Sequence, residues 1–230
     1  MLDLASRRAC TLCRALLILA IFLPTLAAAG SYEEFFNAVR HDQWYQIQQL
    51  LKRGFDPNTT DPERGETGLM LALREEHLHA AEVLLKAPSL DVEVKARNGD
   101  TALMIAAFSK NQVAVEALLA RDAEVNRPGW TALHYAAAAG ADTIVQVLLD
   151  HYAYIDADSP NKTTPLMMAA RGGQTSTVLL LLDAGADPAL QNQLGLSALD
   201  LAKQFDHADT AERLQSWLSG HPRSAVLPAQ

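Results

Sequence analysis

One short sequence pattern occurs five times at a nearly constant spacing. Each copy begins with Thr, or once with Ser, and has Leu two residues later and again seventeen residues later. The copies begin at Thr67, Thr101, Thr131, Thr164 and Ser197, so successive starts are 34, 30, 33 and 33 residues apart. A period of this length is typical of chains whose repeats stack on one another. Stacked arrays present an extended concave surface, which commonly binds other molecules.

Each copy predicts a pair of short helices. In the copy that begins at Thr101, the apolar run 101–108 is separated from a second run, 112–120, by a polar break at Ser109-Lys110-Asn111. Thr is a good N-cap because its hydroxyl accepts a hydrogen bond from an otherwise unpaired amide of the first turn. Pro165 fits the first helical position, where no amide donor is needed. The pattern therefore indicates a repeated helix-turn-helix unit.

One copy carries a family motif. Residues 129–137 read Gly-Trp-Thr-Ala-Leu-His-Tyr-Ala-Ala and resemble the Gly-x-Thr-Pro-Leu-His-x-Ala-Ala motif of ankyrin repeats. Residues 181–187, Leu-Leu-Asp-Ala-Gly-Ala-Asp, resemble the family's helix end and entry to its β-hairpin. The resemblance covers residues 33–218 and implies an all-α ankyrin-repeat solenoid of about six stacked helix pairs with short β-hairpin-like connectors.

The phase of the repeats implies the following division of the chain. We expect an N-terminal capping repeat at 31–62, four central repeats at 63–195, a C-terminal capping repeat at 196–218 and a disordered tail at 219–230.

Three departures from the family pattern give local expectations. The family's His is present only as His134, for which the resemblance implies a hydrogen bond within the repeat. The connector before Trp130 is about three residues short, which predicts a stubby finger there. Tyr152 replaces a Gly that usually takes a positive φ, which a bulky residue adopts only at a cost, and a rebuilt turn would avoid that cost.

The segment before the array is typical of a secretory signal peptide. Residues 1–29 contain the basic Arg7, Arg8 and Arg14, an apolar run over 15–23, and Ala27-Ala28-Ala29. This pattern predicts cleavage between Ala29 and Gly30, export to a Gram-negative periplasm or, alternatively, secretion, and only transient membrane contact. Either the general or the twin-arginine route remains open. An uncleaved anchor is the alternative, although a helix over 15–29 would span only ~22 Å of a ~30 Å hydrocarbon core.

The charge composition argues against nucleic-acid binding and is compatible with ordinary solubility. Removing 1–29 takes away both cysteines, three basic residues and one acidic residue, and changes the formal net charge from −8 to −10. Such a surface repels nucleic acid and favours basic partners, if it favours any. Since the acidic residues are dispersed, ordinary solubility is the other interpretation.

The sequence contains no Gly-rich phosphate loop, nucleophile motif or paired-carboxylate motif. We therefore expect a protein that is not an enzyme and needs no cofactor. A small-ligand or metal site built from Glu75, His77 and His79 is an alternative, although His77 and His79 lie about 200° apart around a helix axis.

The remaining prediction is a concave protein-binding face. In ankyrin-like arrays the residue before each Thr, and the two residues after the Ala pair, tend to face the groove. The residues that this phase selects, together with Tyr135, whose phase is shared with core positions, are Glu66, Arg74, Glu75, Asp100, Phe108, Trp130, Tyr135 and Arg171. We expect Trp130 and Phe108 to form one aromatic patch with a charged rim. The alternative is that Trp130 covers the shortened finger and Phe108 packs on it. The predicted function is a monomeric periplasmic adaptor, inhibitor or protector of an exported enzyme.

Overall fold

The computed structural model describes residues 30–221, which form twelve helices in six consecutive pairs. The helices are α1 over 30–40, α2 Trp44–Lys52, α3 Gly68–Arg74, α4 Leu78–Leu85, α5 Ala102–Phe108, α6 Gln112–Leu119, α7 Ala132–Ala139, α8 Asp142–Asp150, α9 Pro165–Arg171, α10 Thr175–Asp183, α11 Ala198–Gln204 and α12 Ala208–Gly220. Within this part of the chain the only β-structure is a single bridge between Thr60 and Thr67. The all-α solenoid is thus confirmed.

Two of the sequence predictions concern segments that lie wholly or partly outside residues 30–221. The signal segment 1–29 with Ala29 lies outside the described part of the chain, and Gly30 is the first residue described. Helix α12 ends at Gly220, inside the segment 219–230 that was predicted as a tail, and residues 222–230 also lie outside the description.

The repeated Thr or Ser begins the first helix of a pair, as predicted. Thr67 and Thr164 each accept a hydrogen bond through the side-chain oxygen from the amide three residues later, at 3.3 and 3.4 Å. Ser197 does the same for the amide of Asp200 at 3.3 Å. Pro165 occupies the first turn of α9 without costing a hydrogen bond. The residue type that marks each repeat therefore occupies the N-cap position, and in these three repeats its side chain satisfies the helix end, whereas Thr101 makes no such bond.

The pairs stack so that helices of the same kind lie side by side. The first helices of successive pairs, α3, α5, α7, α9 and α11, pack in that order and form an inner layer. The second helices, from α2 to α12, form an outer layer. Between the layers lies one continuous apolar core, in which the repeated Leu84, Leu118, Leu148, Leu181 and Leu214 are fully buried. Neighbouring repeats thereby bury the apolar faces that one pair could not bury alone.

Five connectors, here called fingers one to five, join each outer helix to the next inner helix. They are residues 53–67, 86–101, 120–131, 151–164 and 184–197. The third finger has 12 residues and is shorter than the others, which confirms the stubby connector.

Side chains of one repeat satisfy helix ends of a neighbouring repeat. Asp42 accepts a 2.7 Å hydrogen bond through Oδ1 from the amide of Ala80, in the first turn of α4. His77 and His207 each donate through a ring nitrogen to a carbonyl of the preceding repeat, Val39 and Arg171, at 2.9 Å. Gly173 leaves room for this contact, because a Cβ at its φ of +67° would lie 2.5 Å from the His207 ring. Successive repeats are therefore joined by polar bonds as well as by the core.

Tyr152 takes the strained conformation rather than avoiding it. Its φ is +62°, and its amide still donates to the Leu149 carbonyl at 2.9 Å. The family's turn is thus kept at the cost of a bulky residue in the left-handed region. Across residues 30–221, none of the helices is both long and apolar enough to cross a membrane.

Candidate functional site

An ion pair lies at the end of the inner helix α3. Arg74 donates through Nε and Nη2 to Oε1 of Glu66, at 2.9 and 2.6 Å, and Nη2 lies 3.8 Å from Oδ2 of Asp100. Glu66 is only 2% exposed, and its Oε2 is buried without a hydrogen-bond partner. Because an ionised carboxylate is costly to bury alone, Arg74 is held firmly in place by this contact.

Asp100 is the second buried acid of this network. Its Oδ1 accepts a short hydrogen bond from the hydroxyl of Tyr135, and its Oδ2 accepts one from Nδ2 of Asn98 at 2.7 Å. Burial of the phenol, together with the hydrogen bond to Asp100, raises the pKa of Tyr135 well above its usual range. Tyr135 therefore stays protonated and links α7 to the second finger.

Phe108 stands exposed beside this network. It is the last residue of α5, its side chain is 56% exposed, and its ring meets the Tyr135 ring edge-on at 6.2 Å between centroids. Both residues line a recess of 260 Å³, here called the aromatic recess, whose other lining residues include Arg74, Asp100, Ile105 and Lys110. An apolar floor with charged groups at its edge can receive an apolar side chain of a partner.

A second recess, here called the arginine recess, lies against the first two fingers. It has a volume of 440 Å³ and is lined by Arg64, Glu66, Arg74, Arg97 and Asn98. The amide of Arg97 donates to the carbonyl of Arg64 at 2.8 Å, and Gly65 allows this approach because a Cβ there would lie 3.0 Å from Cγ of Arg97. Two exposed guanidinium groups are thus placed on joined fingers.

Trp130 is not part of the aromatic cluster that was predicted. Among residues 30–221 the ring contacts pair Phe108 with Tyr135, whereas Trp130 meets His134 edge-on at 5.2 Å. Trp130 is the penultimate residue of the shortened third finger, and its side chain is only partly exposed. The patch beside Phe108 therefore contains Tyr135 in place of Trp130.

His134 is buried and fully bonded. Its Nδ1 accepts from the amide of Thr131 at 3.2 Å, and its Nε2 donates to the carbonyl of Thr163 in the next repeat at 2.9 Å. Burial lowers the pKa of the imidazole, although the bond to Thr163 opposes this shift. The predicted structural role of His134 is confirmed, and the side chain also joins two repeats.

The repeated helix pairs match a known family of proteins. A family model described as ankyrin repeats (3 copies) matches residues 35–128, 89–159, 123–192 and 154–216. The chain belongs to the ankyrin-repeat family. Ankyrin repeats mediate binding to other proteins and generally serve as non-catalytic scaffolds, so protein–protein interaction is the general role of this array.

The similar proteins are much longer than this ankyrin-repeat chain. It is 32% identical over 196 residues to the human SH3 and multiple ankyrin repeat domains protein 2, a match that covers 84% of this chain and 11% of that protein. It is 35% identical over 143 residues to the nuclear factor NF-kappa-B p105 subunit of Mus musculus, covering 59% of this chain and 15% of that protein. The similarity thus concerns the repeats.

The other predicted rim residues of the ankyrin-repeat array do not form one charged rim. Glu66 and Asp100 are buried rather than exposed, because both are bonded inside the network. The carboxylate of Glu75 lies 3.6 Å from Nδ1 of His77. The guanidinium of Arg171 lies 5.0 Å from the centre of the Phe205 ring, near the other end of the array. Of the predicted rim residues, only Arg74 lines both recesses described above.

The two histidines considered for a metal site are engaged in contacts between repeats. His79 donates through Nδ1 to Asp42 at 2.8 Å, and His77 donates to the carbonyl of Val39. Among the described residues, no group of three or more His, Cys, Asp or Glu side chains is arranged to hold a metal ion.

The position within the repeat leads from the sequence to Arg74, Phe108 and Tyr135, but it does not lead to Arg64 and Arg97. Both precede a capping Thr, by three and four residues, in consecutive copies. A comparison of finger positions between neighbouring copies, rather than of helix positions alone, would have brought them together.

Proposed function

We propose that the protein is a monomeric, non-catalytic binding protein that grips another protein through the groove formed by fingers one and two and the inner helices α3, α5 and α7. The observation that carries this proposal is the exposed Phe108 ring, which stands on Tyr135 beside a buried and internally bonded network of charged residues.

The energetics of this arrangement favour binding. The Phe108 side chain is 56% exposed, so folding leaves much of its apolar surface in water. A partner that covers this surface removes it from water and thereby gains binding free energy. Binding hot spots are commonly aromatic or Arg residues surrounded by groups that exclude water. Because Arg74, Asp100 and Tyr135 are already fixed by one another, a partner does not have to order them.

The location and role belong to the same proposal. Residues 1–29 have the pattern of a cleaved secretory signal, which supports a periplasmic adaptor, inhibitor or protector of an exported enzyme. Intact mass of the protein from a soluble periplasmic fraction tests the location. A chain that begins at Gly30 supports it, whereas an uncleaved chain recovered with membranes contradicts it.

Affinity capture tests the binding surface. The chain from Gly30 to Gln230 is immobilised and exposed to periplasmic and, in parallel, cytoplasmic extracts, and bound proteins are identified by mass spectrometry. Phe108→Ala is the test variant, and Phe205→Ala is the matched control, since Phe205 is also exposed (42%) but lies on the last helix pair. We expect a protein that the native chain and the control retain and that the Phe108 variant loses. Equal retention by all three chains contradicts the proposed surface.

A further inference from the structure

From the two adjoining recesses we infer the chemistry of the partner: an extended protein segment with one or two Asp or Glu side chains next to a large apolar residue. The carboxylate enters the arginine recess, and the apolar side chain enters the aromatic recess. This inference rests on the proposed function, since it specifies what the groove recognises.

The arginine recess is locally positive on an acidic protein. Its lining contains three arginines and one acid, Glu66. Glu66 does not offset the exposed charge, because Oε1 is engaged by Arg74 and Oε2 is buried. Arg64 and Arg97 are exposed, and among residues 30–221 neither forms a salt bridge. Asp61 accepts from the Arg64 amide at 2.7 Å and feels the Arg64 charge, but it makes no salt bridge with the guanidinium group. Both guanidinium groups are therefore available to a ligand.

Guanidinium groups favour a carboxylate for geometric reasons. Each presents a planar fork of N–H donors that matches the two oxygens of a carboxylate. Here the forks are carried by fingers joined through the bond from the Arg97 amide to the Arg64 carbonyl at 2.8 Å. The two side chains therefore start from fixed neighbouring positions, which reduces the entropy that binding must overcome.

Arg74 connects the two recesses. It lines both of them, and its orientation is fixed by Glu66 and by the nearby Asp100. A carboxylate beside Arg64 and Arg97 is consequently only a short distance from the Phe108 and Tyr135 rings. An acidic residue and an apolar residue close together in one segment satisfy both recesses at once.

The overall charge limits how acidic the partner can be. The formal net charge of the chain is −8, so a polyanion such as a nucleic acid meets long-range repulsion before it reaches the recess. A segment with only one or two carboxylates avoids most of this repulsion. We therefore assign the recess to side-chain carboxylates of a protein rather than to phosphates.

Selection from a phage-displayed library of random dodecapeptides tests this inference. The full chain is the bait, and Arg64→Gln/Arg97→Gln is the test variant. The control Arg53→Gln/Arg213→Gln removes the same charge at exposed positions outside both recesses. Circular dichroism and thermal unfolding confirm that all three baits are folded.

We expect the native and control baits to enrich peptides with Asp or Glu next to a large apolar residue. The Arg64/Arg97 variant is expected to lose the acidic preference but to keep the apolar one. A selected peptide, synthesised with an amidated C-terminus, should bind that variant roughly tenfold or more weakly, since each charge-assisted hydrogen bond contributes about one decade. Its affinity for the native chain should fall as salt is added.

Other results separate the failure of the inference from failure of the proposed function. Basic or uncharged peptides that still require Phe108 would overturn the acidic assignment and leave the groove as a binding surface. A requirement for a free C-terminus, or displacement by a single-stranded oligonucleotide, would overturn the choice of side-chain carboxylates. Peptides that bind the native, Phe108→Ala and Arg64/Arg97 chains equally would overturn both proposals.

Discussion

Arg74 and Arg171 occupy the same position in two repeats, yet they have different surroundings. Each lies seven residues after a capping Thr and ends an inner helix. Arg74 is paired with the buried Glu66, whereas Arg171 has Thr163 at the corresponding position and instead lies over the Phe205 ring at 5.0 Å. The backbone fixes where an inner-helix arginine stands, and residues of the neighbouring fingers and repeats determine whether it belongs to a charged network.

The fingers show the same difference. Fingers four and five are joined by a 3.0 Å hydrogen bond from the amide of Gln193 to the carbonyl of Asn161, which corresponds to the bond between Arg97 and Arg64. The geometry is thus repeated at both ends, but only fingers one and two carry arginine at these two positions. The array provides equivalent positions, and its first half alone uses them to build a positive recess.

Removing Arg74 should have the largest effect on stability. Arg74→Ala leaves the Glu66 carboxylate buried and unpaired, and we expect it to lower the free energy of unfolding by about 2 kcal/mol, a value reduced because the Arg74 side chain is 36% exposed. Arg171→Ala should cost only about 0.5 kcal/mol, the size of an exposed cation–π contact. Urea unfolding of both variants measures the difference.

A second substitution checks the cause of that loss. Glu66→Gln in the Arg74→Ala background removes the unpaired charge and should recover more than half of the lost stability. Equal losses of unfolding free energy for Arg74→Ala and Arg171→Ala would mean that Arg74 is no more strongly paired than Arg171.

His134→Met gives the middle repeat the residue that three of the other four copies have at this position, Met70, Met104 and Met167. The variant loses the bonds to Thr131 and Thr163, and we expect a cost of about 1–2 kcal/mol at neutral pH. Thermal unfolding at several pH values gives a further comparison.

The pH dependence follows from the direction of the shift. Burial keeps the pKa of His134 below its ordinary value of 6.5. As the pH falls below 6.5, the imidazole therefore binds a proton in the unfolded chain before it does so in the folded chain. This contribution to stability is fully present above pH 6.5 and is lost as the pH falls below it. His134→Met should show a flatter decline, whereas a parallel decline in both proteins would contradict neutral burial of the imidazole.

The ion pair between Glu66 and Arg74 can be introduced at the equivalent positions, 163 and 171, near the other end of the array. Thr163→Glu places an acid at the position that corresponds to Glu66, and Arg171 is then the expected partner. A double-mutant cycle with Arg171→Ala should show a coupling of about 1 kcal/mol between the two positions. If the coupling is absent, the phase of a residue within the repeat is not sufficient to form the pair.

Phe108→Ala should have the smallest effect on stability and a large one on binding. Because the ring is largely exposed, we expect unfolding to change by no more than about 0.5 kcal/mol. Phe205→Ala should change stability by a similar amount and leave binding intact. A large loss of stability for Phe108→Ala would instead indicate a packing role.

The sequence predicted the parts of the molecule that depend on the repeat itself. The positions of the capping residues, the helix pairs, the short third finger and the role of His134 all follow from the phase of one pattern. The same phase places Arg74 and Phe108 at the ends of the inner helices α3 and α5.

The remaining features depend on contacts between repeats. Asp100 was expected on the rim, but it is buried because Tyr135 of the next repeat donates to it. Trp130 was expected beside Phe108, but it lies in the shortened third finger and packs on His134. Arg64 and Arg97 become neighbours through a bond between the backbones of two fingers. A periodic pattern within one repeat does not contain these partners.

The polar bonds that join successive repeats also bear on how the chain can fold while it is being made. The Ala80 amide in the first turn of α4 donates to Asp42 of the preceding repeat, and the Arg171 carbonyl accepts from His207 of the following repeat, so each of these bonds joins neighbouring repeats only. A ribosome, or a translocation channel that admits the N-terminus first, delivers neighbouring repeats one after the other. Each new helix pair then meets the pair with which it bonds, and the nascent chain need not wait for its last repeat before its first ones can pack.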